Sequence, residues 1–372
     1  MAGCAFYAIF LLLICCELKG VTSYEAVGFA AYGAVGRTVA AVIIAMQNFG
    51  ALTGYIVILK DLLPRLVAEA GGWDLGHGPW WSSPSLLVVG LVLVVVWPMT
   101  WLRDIGALGY TSGFSITVML FFTIVIVPRS GDISWTGAVQ RMDLSQTQGC
   151  AAHVTRFDAG FAEVFPTLAF SFVCHTALLP IYTELRTRTV GHMLKVAGTS
   201  MAACFGLYGL AGVFGYLAFR GATQGDLLDQ MAQYSPHDTL VLACRILVAA
   251  SVTVTIPLLN YPARRAITMA ACYSTRNTFS WTRHVGIGTA TLALVTLLAL
   301  VVPSITTVFG IAGCTTSVGL VFVLPGVFYI RLTKMTGVNG DFSGHRLGAL
   351  LLVIGGVVVG VASLVVVISR LI

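Results

Sequence analysis

The sequence predicts an all-α integral membrane protein, a bundle of about ten spans. Composition is the first reason: 57% of the 372 residues are hydrophobic, 10% are charged, and the mean hydropathy is +0.90. Soluble domains carry roughly 25% charged residues. Even a large soluble domain exposes much of its area, so water could not accommodate this much apolar surface. The second reason is layout. Uncharged apolar runs long enough to cross a bilayer recur along the chain, and a lipid-embedded backbone must satisfy its own hydrogen bonds, which favours helices. No linker or low-complexity tract divides the chain, so residues 1–372 read as a single transmembrane domain.

Taken in order, the runs fall near 2–16, 38–59, 84–102, 105–127, 164–183, 196–219, 239–260, 285–302, 305–330 and 347–369. The first lacks a basic leader, and Cys15-Cys16-Glu17 is a poor cleavage site, so it reads as a short retained span and not a signal peptide. Only the seventh holds a permanent charge, Arg245, which should snorkel or pair. Connections after odd-numbered spans hold 13 of the 21 Lys and Arg, and those after even-numbered spans hold 7. The odd connections should therefore be cytosolic and both termini external or luminal. Gly50 with Gly54, and Gly356 with Gly360, make two GxxxG patterns, read as close helix packing or as a dimer contact.

Several function classes drop out. There is no GxSxG, HExxH or P-loop, so the chain does not read as an enzyme. The nine cysteines include no CxxC pair, which argues against structural zinc, and Cys150 stands alone in a polar loop. No basic tract suits nucleic acid. The expected partners are membrane lipid and a small solute, and the oligomeric state is open.

Two spans carry polar breaks. The fifth has Pro166 and Pro180 near its ends and Ser171, Cys174 and His175 at mid-depth. Polar groups in the bilayer centre need partners or a wet cavity, and discontinuous helices expose backbone to substrates in transporters. A binding segment and a kinked packing helix with a satisfied histidine both fit. The seventh has Thr253 and Thr255 before Pro257. Their hydroxyls could serve Na⁺ or bond the carbonyl one turn back. They lie about 200° apart on a helix, so only one could face a given site. Asn48, beside Gln47 in the second span, is a substrate contact or interhelical glue.

These residues carry a resemblance. Phe170 to His175 followed by Leu179 to Leu185, Thr255 to Arg264, Phe279 to His284, Val301 to Gly310, Leu324 to Ile330, and Ser23 to Glu25 with Asn48 to Gly50 resemble the amino acid/auxin permease family. The sodium-coupled neutral amino acid transporters are the most similar group. The resemblance implies eleven spans in a LeuT-like inverted-repeat bundle, with the fifth span here matching the family's broken sixth. The family's first span then has no counterpart, and an upstream start would supply it. Thr176 stands where relatives have proline, so the kink should be softer.

By the same resemblance the chain is a secondary active amino acid transporter, coupled to Na⁺ or H⁺, in the plasma membrane or a vacuolar or lysosomal membrane. Backbone at Ser171, Phe172, Val173, Cys174 and His175 would cradle the substrate, with Asn48 nearby. Thr253 or Thr255 would be the Na⁺ ligand. A non-transporting amino acid sensor or regulatory membrane partner is the alternative.

Overall fold

A computed structural model describes residues 1–73, 77–101, 108–133, 159–220, 223–235, 238–271, 280–336 and 342–371. No strand occurs among them. The helices are α1 (Ala2–Lys19), α2 (Tyr24–Gly71), α3 (Pro84–Met99), α4 (Leu108–Asp132), α5 (Ala159–Ser171), α6 (His175–Glu184), α7 (Val190–Phe219), α8 (Leu227–Tyr234), α9 (Thr239–Ala271), α10 (Trp281–Val301), α11 (Ile305–Met335) and α12 (Phe342–Leu371). With α5 and α6 taken as one broken span, nine of the described segments are long and apolar enough to cross a membrane, and α3 is a shorter apolar helix. The protein is a multi-pass integral membrane protein.

Local chemistry sets the ends. Ser23, Thr189, Asp226 and Ser304 each accept a hydrogen bond from a first-turn amide of the helix that follows. Gly20 closes α1 at φ 63°. A straight helix of 48 residues would run about 72 Å, more than twice a bilayer core of about 30 Å. α2 instead bends at Tyr32 and Gly33, where Gly33 takes φ 64°. The two arms meet at Gly28 and Gly36, backbone against backbone. The eight residues of α2 before the bend precede the second run as read from sequence.

Two apolar clusters build the bundle. One joins α1, the first part of α2, α5, α6, α7, α11 and α12. The other joins the second part of α2 with α3, α9, α10 and the start of α11. A smaller one closes α4, α7, α8 and α9. Outward, α12 exposes Leu347, Leu351, Ile354, Val358, Val361 and Val365, a helical stripe suited to lipid.

Both GxxxG patterns pack within the chain. A Cβ on Gly50 would stand 2.8 Å from Ala312 Cβ, and one on Gly54 2.6 Å from the Phe309 ring. Gly356 lies against Phe322, and Gly360 against Val318 and the Cys314 carbonyl. Arg245 pairs: Nη1 is 2.9 Å from Glu69 Oε2 across α9 and α2. Cys150 lies outside the described residues.

Candidate functional site

The fifth span is interrupted. α5 stops at Ser171, α6 starts at His175, and Phe172, Val173 and Cys174 leave the helix. The ladder tightens first, as Val173 N–H donates to Phe170 O at 3.1 Å. Cys174 then turns at φ −116°, ψ 2°, and its carbonyl takes Ala177 and Leu178 N–H at 3.1 Å. By helix geometry the amides at the start of α6 lack intrahelical acceptors, and the helix dipole makes that end electropositive. No side chain caps it.

The polar trio at the break does not converge. Ser171 and Cys174 lie on an exposed face with Val164, Leu168 and Ile181. Ser171 Oγ donates to Thr167 O at 2.8 Å. His175 points the other way and is fully buried, toward the backbone at Ala5 of α1. Neither of its ring nitrogens makes a hydrogen bond of normal geometry. Phe172 is buried and meets Tyr208 of α7 edge to face, centroids 5.7 Å apart. Val173 is half-buried beside it.

Asn48 is buried, but its Nδ2 bonds Ile44 O at 2.8 Å within its own helix. Its neighbour Gln47 ties helices together. Gln47 Oε1 accepts from Thr316 Oγ1 at 2.6 Å and from Ser317 Oγ at 3.0 Å. Those hydroxyls sit in a π-helical stretch, Gly313–Ser317, inside α11. Gly313 lies against the Pro166 carbonyl of α5, an approach only a residue without Cβ permits. The break, α2 and the π turn therefore share one neighbourhood through Pro166, Gly313 and Gln47. Sequence reasoning passed over Thr316 and Ser317. Their signal was a run of polar residues, Thr315-Thr316-Ser317, in the middle of an apolar span. π-bulges of this kind recur at functional sites.

Thr253 and Thr255 each bond the carbonyl one turn back. Thr253 Oγ1 donates to Ala249 O and Thr255 Oγ1 to Ser251 O, each at 2.7 Å. Each oxygen keeps lone pairs. Thr255 also stands 3.4 Å from Ser115 Oγ of α4, which accepts from Ser251 Oγ at 2.9 Å. Three hydroxyls thus gather at the α4–α9 contact, while Thr253 is buried elsewhere on α9. The donor type suits a hard cation such as Na⁺.

A helix interrupted at membrane depth, an open helix N-terminus and a polar π turn together suit capture of a small zwitterion without covalent chemistry. The family model described as "Transmembrane amino acid transporter protein" matches residues 1–369. With that match running over nearly its whole length, the chain belongs to the transmembrane amino acid transporter family.

Proposed function

We propose that the chain is a secondary active carrier of neutral amino acids, driven by a Na⁺ or H⁺ gradient, with a LeuT-like alternating-access cycle. The observation that carries this is the unwound Phe172–Cys174 segment between α5 and α6. A substrate carboxylate would meet the amides at the start of α6, where the dipole favours negative charge. The amine would meet carbonyls at the end of α5, where the dipole is reversed. Backbone at Ser171, Phe172, Val173, Cys174 and His175 would form the cradle, with Asn48 and the Gln47–Thr316–Ser317 network holding α2 and α11 beside it. The ion gradient would drive the cycle, and the amino acid and ion would act on it by binding the inward-open and outward-open arrangements with different affinities.

For Na⁺, Thr255 with Ser115 and Ser251 supplies three oxygens, and Thr253 is the second candidate. The ion would contribute charge that couples substrate affinity to the gradient. Uptake of labelled neutral amino acids into proteoliposomes tests the proposal. Saturable uptake that collapses when the Na⁺ or pH gradient is dissipated is the expected result. Amino acid binding without flux under either gradient would overturn the carrier reading and leave a sensor.

A further inference from the structure

α9 and α10 meet at a polar point outside the amino acid site. Asn260 of α9 is 1% exposed, and neither Nδ2 nor Oδ1 has a hydrogen-bond partner. One turn on, Arg264 is 8% exposed. Its Nη1 donates to Thr100 O at 3.4 Å, the long limit for such a bond, and its guanidinium lies 5.7 Å from the Tyr261 ring centroid. No carboxylate among the described residues pairs with it. Gly288 of α10 faces both groups. A methyl group built there would stand 3.5 Å from Arg264 Nη1 and 3.5 Å from Asn260 Nδ2, with no other atom within 4 Å. Two donor nitrogens therefore lie within contact distance of one point over the Gly288 backbone.

Such an arrangement is costly when empty. Arginine cannot shed its proton, and with no carboxylate among the described residues paired to it the charge carries a desolvation cost. A buried amide with no partner adds to that cost. Water could satisfy Asn260 but supplies no negative charge to the guanidinium. A phosphodiester headgroup is too large for a site whose asparagine is 1% exposed. A small, singly negative group able to accept two N–H groups at once would satisfy both.

We propose that Asn260 Nδ2 and Arg264 Nη1 form a binding site for one small monovalent anion, chloride or the carboxylate of a short acid, held between α9 and α10 over Gly288. The site is independent of the substrate cradle. The anion would lock α9 to α10 by neutralising Arg264.

The test is a thermal-unfolding titration of the full chain in detergent, with gluconate as background anion at constant ionic strength. Chloride is added in one arm and acetate in the other. The wild type should show a saturable rise in Tm of about a few degrees with at least one of them. Gly288→Val fills the space without changing any polar group and should abolish the rise. Asn260→Leu should abolish it too and should raise the Tm in gluconate alone, because an unsatisfied amide is gone. Arg264→Gln should behave like Gly288→Val. If it does not fold, the other two variants still decide the matter. A flat wild-type response in both arms, or a rise that Gly288→Val and Asn260→Leu retain, overturns the site. A rise produced by anionic lipid in nanodiscs, and by neither free anion, overturns it as well.

Discussion

Phe170, the next-to-last residue of α5, stacks on Phe309 of α11 with ring centroids 4.5 Å apart and planes 24° from parallel. The same Phe309 ring fills the space beside Gly54 of α2. The helix break, the start of α11 and the middle of α2 are thus joined through one aromatic side chain. Such a pair contributes about 1 kcal/mol beyond the area it buries.

This relationship makes a coupling prediction. Gly54→Val should push Phe309 off Phe170 and cost about 1–3 kcal/mol by overpacking. Phe309→Ala alone should also destabilise, by opening space. In the double variant the two changes should partly cancel, so thermal unfolding of the four proteins should show clear non-additivity. Additive losses would mean that the ring does not transmit the clash.

Gln47 should matter more than its neighbour Asn48. Gln47→Leu removes the acceptor for Thr316 and Ser317, while Thr316 keeps its bond to Ala312 O at 2.9 Å. The orphaned Ser317 hydroxyl is fully buried, so a loss of about 1–3 kcal/mol is expected. Adding Ser317→Ala to Gln47→Leu should recover part of that loss in the same unfolding assay.

Arg245 is 5% exposed overall and depends on Glu69 for its charge partner. Glu69→Gln should therefore destabilise. The cost should fall below the roughly 3–5 kcal/mol of a fully buried pair, because the Glu69 side chain is about a third exposed. Salt should narrow the difference between wild type and variant only slightly.

Asp229 of α8 has its carboxyl held above the usual aspartate range by burial, against the opposing pull of Arg65 and a hydrogen bond from Gln233. The folded state therefore binds a proton before the unfolded state does as pH falls. Between the raised folded value and the ordinary one, stability from this group rises with falling pH, and above that window the charged, buried form is a cost. Asp229→Asn should flatten that part of the Tm–pH profile. An unchanged slope would remove Asp229 as its source.

Much of this was legible in the sequence because it rests on short-range chemistry. Pro166, Pro180 and the polar residues between them mark a span that cannot run as one regular helix. The glycine pairs mark where helices touch, and an arginine in an apolar run requires a partner such as Glu69. Other features depend on contacts far apart in sequence. Gln47 meets Thr316 across 269 positions, so no local pattern links them. The break also rotates the helix register, which sends His175 inward and leaves Ser171 and Cys174 on the exposed face. Periodicity through an intact helix could not anticipate that. The bend at Tyr32 and Gly33 was hidden because glycine there reads equally well as a loop.

In the proposed carrier the unwound segment faces water and holds the amino acid, and Cys174 reports on both points because its side chain is exposed. In a variant with the other eight of the nine cysteines replaced, a charged methanethiosulfonate reagent should modify Cys174, and a transported amino acid should slow that reaction saturably. Reaction only with membrane-soluble reagents, unaffected by any amino acid, would place the break against lipid and contradict the account.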